Sequence, residues 1–217
     1  YLVIFGNIAG LSTDGVPKVL FYLSGVTLWN YFASCLTGAS NVFTSNAGIF
    51  GKVYFPRLVM PLTVVISNLM RFGVQFLLFL LVFFYYLFKG EIQPNIWILA
   101  TPFLIILMAA FALGAGMIFS AMTTKYRDLQ MLLTFGVSLY MYATPVVYPL
   151  SALSGFWRKL AYYNPLTGIF ECFKYGWLGS GDFSPAMLLV SSVLLFILLA
   201  LGAVIFNKVE KSFMDTV

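Results

Sequence analysis

Apolar residues run in long unbroken blocks along this chain, and the charged residues fall between the blocks. No charged residue lies between Lys18 and Lys52, between Glu91 and Lys125, between Asp128 and Arg158, or between Asp182 and Lys208. A helix needs about 20 mostly apolar residues to cross a bilayer, so each gap has room for one span and its interfacial flanks. A transmembrane β-barrel would instead show segments of ~10 residues alternating polar and apolar.

The pattern predicts an all-α fold: a polytopic transmembrane bundle of six spans, read as a single transmembrane domain over 1–217. Residues 1–11 read as the end of a first span whose start is missing, and Asp14-Gly15-Val16-Pro17-Lys18 as a turn. The second span lies within 19–43. It carries Ser24, Gly25, Thr27, Asn30, Ser34, Thr37 and Gly38, residues that let backbones approach, so it is expected to face protein or a pore more than lipid. A polar connection over 44–57 precedes a third apolar run, 58–88, interrupted by Pro61 and Arg71. The fourth span falls within 96–122, with a small-residue stripe at Ala112, Gly116 and Ser120. After a charged loop at 123–128, a fifth span is expected over about 129–150.

Residues 156–181 are too polar and too broken to span. Asn164-Pro165 splits them into two short pieces. The second puts Leu166, Ile169, Phe170, Phe173 and Trp177 on one face, with Glu171 and Lys174 on the other. This predicts a short interfacial or re-entrant helix before the last span, about 184–206. The loops at 44–57 and 123–128 and the tail share one side, with Lys52, Arg57, Lys125, Arg127, Lys208 and Lys211. Lys18, Lys89, Arg158, Lys159 and Lys174 fall on the other. The positive-inside rule makes the first side cytoplasmic, with both termini there, by a narrow margin.

Composition removes several chemistries. Of 217 residues, 61% are hydrophobic and only 9% charged, too little charge to cover a soluble fold. Histidine is absent, which excludes His-based catalytic triads and His-bearing zinc sites. Cys35 and Cys172 lie in separate segments. The net charge of +5 forms no basic stripe, so nucleic acid is not an expected partner. The seven acids are scattered over separate loops, against a membrane enzyme. The spans carry no mid-membrane acid and no internal repeat, against a secondary transporter.

Several stretches, taken in order, carry a resemblance. They are Leu23-Ser24-Gly25 with Leu28-Trp29-Asn30-Tyr31-Phe32; Asn46 with Lys52-Val53-Tyr54-Phe55-Pro56-Arg57 and Pro61; Tyr126-Arg127-Asp128; Thr144-Pro145-Val146-Val147-Tyr148-Pro149; and Tyr163-Asn164-Pro165-Leu166. With them, almost the whole chain resembles the membrane subunit of bacterial polysaccharide-exporting ABC transporters of the ABC-2 type. That resemblance implies a homodimer in the bacterial cytoplasmic (inner) membrane, bound to two copies of a cytoplasmic ABC ATPase. It implies a lipid-linked glycan substrate of the O-antigen, capsular or teichoic acid type. The chain has no phosphate-binding loop, so ATP and Mg would be bound by the partner and no cofactor by this chain. The family also has an N-terminal amphipathic helix that this sequence lacks.

The resemblance also suggests roles for particular residues. Ile49, Phe50, Lys52, Val53, Phe55, Pro56 and Arg57 would form a helix docking into a groove of the ATPase, with Arg127 and Asp128 as a second contact. An interfacial turn and a local Arg-Asp pair are the plainer readings of the same residues. Pro145, Tyr148, Pro149, Asn164 and Pro165 would set the breaks of an external gate, where an ordinary external loop is the alternative. Trp29, Tyr31, Phe32, Tyr140 and Tyr142 are candidates for the glycan path, because sugar rings stack on aromatic faces. Arg71 is a further candidate, since an ionisable residue in a span is costly, although a snorkelling arginine needs no substrate. A drug, lipid or peptide cargo stays open, because fold alone does not fix substrate.

Overall fold

The computed structural model describes residues 12–45, 58–126 and 128–214. The expected first span, the connection holding Ile49 to Arg57, and Arg127 lie outside them. Helices account for almost all of the described chain: α1 (Lys18–Ser40), α2 (Val42–Ser45), α3 (Val59–Phe88), α4 (Thr101–Lys125), α5 (Leu129–Ala143), α6 (Gly155–Tyr162), α7 (Thr167–Leu178) and α8 (Pro185–Met214). Single 3₁₀ turns cover Ile96–Ala100 and Leu150–Ala152, and no strand occurs among the described residues.

Among these residues four stretches are long and apolar enough to cross a membrane: Lys18–Ser40, Val59–Phe88, Ile96–Thr123 and Pro185–Lys208. They match the expected second, third, fourth and last spans. The fifth expectation needs correction. Its helix stops at Ala143, and 15 residues rise only about 22 Å. Thr144 turns to an extended conformation because Pro145 follows it, and a residue before proline is pushed out of the helical region. Pro61, by contrast, sits in the first turn of α3, where its missing N–H is harmless.

α1 is the central post. Within its span 67% of residues are buried, against 17% for α8, so the two helices face different surroundings. Ser24, Thr27 and Ser40 on α1 are buried with Leu28, Phe32 and Cys35. The hydroxyls of Ser24 and Ser40 are satisfied locally, donating to the Phe21 and Thr37 carbonyls at 2.7 Å each. This agrees with the expectation from its small and polar residues. α3 and α4 flank α1, and α8 packs on α4. The stripe Ala112, Gly116 and Ser120 is buried, and Thr123 donates to the Ser40 carbonyl at 2.9 Å. On the α8 side, a Cβ on Gly114 would sit 2.8 Å from the Leu199 backbone, so the two helices touch main chain to main chain. The outer surfaces of α3 and α8 are greasy: Ile66, Val74, Leu81 and Phe88 on the first, and Leu189, Phe196 and Val204 on the second, are exposed.

Filling this contact is expected to destabilise the bundle. Gly202→Val should cost about 1–3 kcal/mol through overpacking and lower the thermal midpoint in detergent, whereas Leu201→Ala on the exposed face should leave it nearly unchanged.

Candidate functional site

The segment between α5 and α8 holds the densest polar network of the described chain. Beyond Ala143 the backbone runs irregularly through Thr144–Pro149, yet it is buried: Thr144, Val146, Val147 and Leu150 are almost wholly covered. It presses on α1 at Gly25, where a Cβ would stand 2.5 Å from the Val146 carbonyl oxygen. Buried irregular backbone needs donors for its carbonyls, because no neighbouring turn supplies them.

Lys174 supplies two. Its Nζ donates to the Pro145 carbonyl at 2.5 Å and the Tyr148 carbonyl at 3.4 Å, and stands 4.3 Å from the centre of the Phe21 ring. Glu171, one turn earlier on α7, places Oε1 3.7 Å from Lys174 Nζ, while its Oε2 accepts the Asp182 N–H at 3.0 Å. Both side chains are buried, at 2% and 1% exposure. Burial pushes the Glu171 carboxyl up from its usual range and the Lys174 ammonium down, and the charge of each opposes the shift of the other. Glu171 and Lys174, expected on the face opposite the apolar one, are thus as buried as that face. Leu166, Ile169, Phe170 and Phe173 are buried too, so α7 is enclosed on all sides. Phe76, Phe79 and Phe83 of α3 meet Trp177, whose indole N–H donates to Thr101 Oγ1 at 2.9 Å.

Asn164 forms the second knot. Its Oδ1 accepts from the Tyr140 hydroxyl at 2.7 Å and the Leu166 N–H at 3.0 Å, and its amide donates to Thr144 Oγ1 at 3.1 Å and the Ala143 carbonyl at 3.3 Å. One side chain thus ties the end of α5 to the Asn164-Pro165 break. The Tyr148 hydroxyl donates back to the Tyr142 carbonyl at 3.1 Å. Ser151 donates to Asp14 at 2.7 Å, joining this segment to the turn before α1. Pro145, Tyr148, Pro149, Asn164 and Pro165 therefore belong to one connected structure. α6 is different. Phe156, Trp157, Leu160 and Tyr163 are exposed along it, and Arg158 reaches the Asp182 carboxylate in a half-exposed pair.

The aromatic candidates divide. Trp29, Phe32 and Tyr140 gather inside the protomer, with ring centres 5.3 to 6.4 Å apart, and Phe32 stacks on Phe111. Phe32 and Tyr140 border an apolar cavity of about 340 Å³ between α1, α4 and α5. Tyr31 packs against Phe72 of α3 at 5.2 Å. Tyr142 and Arg71 are exposed and apart from that cluster. A groove of about 610 Å³ follows the outer face of α5, lined by Asp128, Gln130, Met131, Thr134, Phe135 and Ser138. Asp128 opens α5 without capping it. Of this groove only Asp128 was among the residues expected at a site; Gln130 and Thr134, like the Glu171–Lys174 pair, were not. The signal for the pair was two charges one turn apart in an otherwise apolar helix.

The arrangement defines a class: a polytopic helical membrane subunit with a braced, non-helical segment ahead of its last span and no cluster of His, Cys, Asp or Glu that could hold a metal among the described residues. Residues 1–178 match the family of ABC-2 type transporters, and the chain belongs to it. It is a multi-pass membrane permease subunit. It is 30% identical over 197 residues to the O-antigen export system permease protein RfbA of Klebsiella pneumoniae, covering 90% of this chain and 74% of that one. The permease of the same name from Myxococcus xanthus is 28% identical, over 70% of this chain and 56% of that one. The inner membrane transport permease YadH of Escherichia coli K12 is 30% identical, over 84% and 73%.

Removing the buried cation tests the brace. Lys174→Met leaves Glu171 buried without its cation and the Pro145 and Tyr148 carbonyls without their donor, a loss of about 3–5 kcal/mol. We expect a lower thermal midpoint and poorer yield of monodisperse protein, with Lys174→Met combined with Glu171→Gln recovering part of both.

Proposed function

We propose that this chain is the transmembrane subunit of an ATP-driven exporter moving lipid-linked polysaccharide, of the O-antigen, capsular or teichoic acid type, across the bacterial cytoplasmic membrane. The observation that carries this reading is 30% identity along 90% of the chain to a permease named for O-antigen export. In this proposal two copies, each of six spans, form a homodimer with both termini cytoplasmic. Two copies of an ABC ATPase bind ATP and Mg, and this chain holds no cofactor. The path runs along α5, whose outer groove mixes Gln130, Thr134 and Ser138 with Met131 and Phe135, a surface suited to hydroxyl-rich rings with apolar faces. Tyr142 lies on the same helix, and Trp29, Tyr31, Phe32 and Tyr140 support the wall from within. The segment braced by Lys174 and Asn164 is the fixed frame of the external gate, and exposed α6 its moving part. Residues Ile49, Phe50, Lys52, Val53, Phe55, Pro56 and Arg57, with Arg127 and Asp128, transmit the ATPase stroke.

An ABC-2 exporter of another cargo is the second reading. The Escherichia coli relative supports it, being equally similar in sequence while its name specifies no glycan.

The proposal is tested by co-expressing the full-length permease with the adjacent ATPase gene and purifying on a permease tag. The ATPase should co-purify in equal amount. Phe55→Asp, charging an apolar anchor worth about 2 kcal/mol, should weaken that association about thirtyfold and stop export. A permease that purifies without any ATPase overturns the reading.

A further inference from the structure

Polar side chains line the seam between α1 and α3 at membrane depth. Ser67, Arg71 and Gln75 recur every four residues on α3, which places them on one stripe of the helix. Ser67 and Arg71 are exposed and Gln75 is half-buried. Asn30 of α1, also exposed, donates through its amide to Gln75 Oε1 at 3.4 Å. The antiparallel register is fixed by that bond, by Tyr31 against Phe72, and by Val64 against Gly38. It puts Ser34 level with Arg71.

Around this stripe α3 presents Leu62, Ile66, Met70, Val74 and Leu78 to the outside, an apolar surface suited to lipid. Among the described residues Arg71 makes no hydrogen bond or ion pair. Tyr85, Tyr86 and Lys89 mark an interface at the far end of α3. Counting back from Tyr85, Arg71 lies about 21 Å into a hydrocarbon core of about 30 Å, so it is between one and two turns from the other edge. At that depth its guanidinium needs an anion, and a long side chain reaches the nearby headgroup level.

The protein does not supply that anion. The acids of the chain are Asp14, Glu91, Asp128, Glu171, Asp182, Glu210 and Asp215, and none falls within the four spans. A second copy brings the same sequence and no carboxylate at this depth either. We propose that the α1–α3 seam is a binding site for the phosphate group of a membrane lipid. Arg71 grips the phosphate through its planar fork, and Ser67 and the amide of Gln75 complete the contact. The bond from Asn30 occupies the Gln75 acceptor and leaves its amide hydrogens for the anion. The phosphate has two sources: an anionic phospholipid headgroup, or the diphosphate linker of the exported cargo. The second source rests on the exporter reading above; the site itself does not.

Native mass spectrometry of the detergent-purified full-length permease, with its ATPase if one co-purifies, tests this. The probes are phosphatidylglycerol and a polyprenyl diphosphate, with uncharged diacylglycerol as control. We expect the wild-type permease to retain both phosphate-bearing lipids. Retention should fall about tenfold or more in Arg71→Gln, less in Gln75→Leu, and least in Arg71→Lys, while diacylglycerol retention is unchanged. Preferential loss of the diphosphate probe assigns the site to cargo, and equal loss of both probes assigns it to headgroups in general; either outcome supports the site. Unchanged retention in Arg71→Gln overturns it. So does a change in oligomeric state in that variant, which would make the seam a contact between copies. Because binding is read without transport, a failed site and a failed exporter assignment give different results.

Discussion

Lys174 and the two carbonyls it binds form the interaction on which the far end of this bundle depends. In a helical membrane protein nearly every backbone group is satisfied by its own helix. The chain leaves that arrangement after Ala143, and the next regular turn is some residues away. Burying such a stretch requires donors from elsewhere, and a single ammonium group meets the need at Pro145 and Tyr148. Glu171 favours the charged form of that ammonium against the effect of burial, and the Asp182 N–H does the same for the carboxylate. The Pro145–Tyr148 stretch, α7 and the loop at Asp182 are thereby held in one orientation. A buried pair of this kind is poor evidence for stability in itself, but it specifies geometry, since the pair is satisfied in only one arrangement of those segments.

The same network separates what is rigid from what is free. α7 is enclosed by α1, α3 and α8 and anchored to Thr101 through Trp177. α6 touches little and carries exposed aromatics beside its one half-exposed ion pair. A segment with few buried contacts is drawn from the low-stability end of a structure, which is where moving parts are found. The fixed and mobile halves meet at Asn164, whose four hydrogen bonds leave it no spare capacity to reorient without cost.

Much of this was legible in the sequence, and the failures have physical causes. Charge-free blocks located Lys18–Ser40, Val59–Phe88, Ile96–Thr123 and Pro185–Lys208 because lipid tolerates few charges in a span. The small residues of α1 announced its central place. The end of α5 was misplaced because Pro145 was treated as a feature near the end of a span, when its effect falls on the residue before it. Glu171 and Lys174 were placed on the face opposite the apolar one, with their surroundings left open, because helical periodicity separates polar from apolar sides without saying what lies beyond either. Only the packing of α7 into the bundle shows that both sides are enclosed. Trp29 and Phe32 were grouped with Tyr142 by composition, yet two face inward and one outward, a distinction that rotation about a helix axis sets and an aromatic count does not. The proposed ATPase-coupling segment from Ile49 to Arg57 lies outside the described residues and stays a reading from resemblance.

The early end of α5 also bears on how a polar molecule would pass beside it. A helix of 15 residues rises about 22 Å, where the hydrocarbon core is about 30 Å thick. Beyond Thr144 the wall is made of turns, hydroxyls and carbonyls instead of aliphatic surface. The regular helical wall along α5 is therefore about a quarter shorter than that core, whereas the 30-residue helices α3 and α8 exceed it. For a chain of sugars, whose cost of crossing accumulates with each hydroxyl stripped of water, a shorter apolar wall beside the proposed path would mean fewer units desolvated at any one moment.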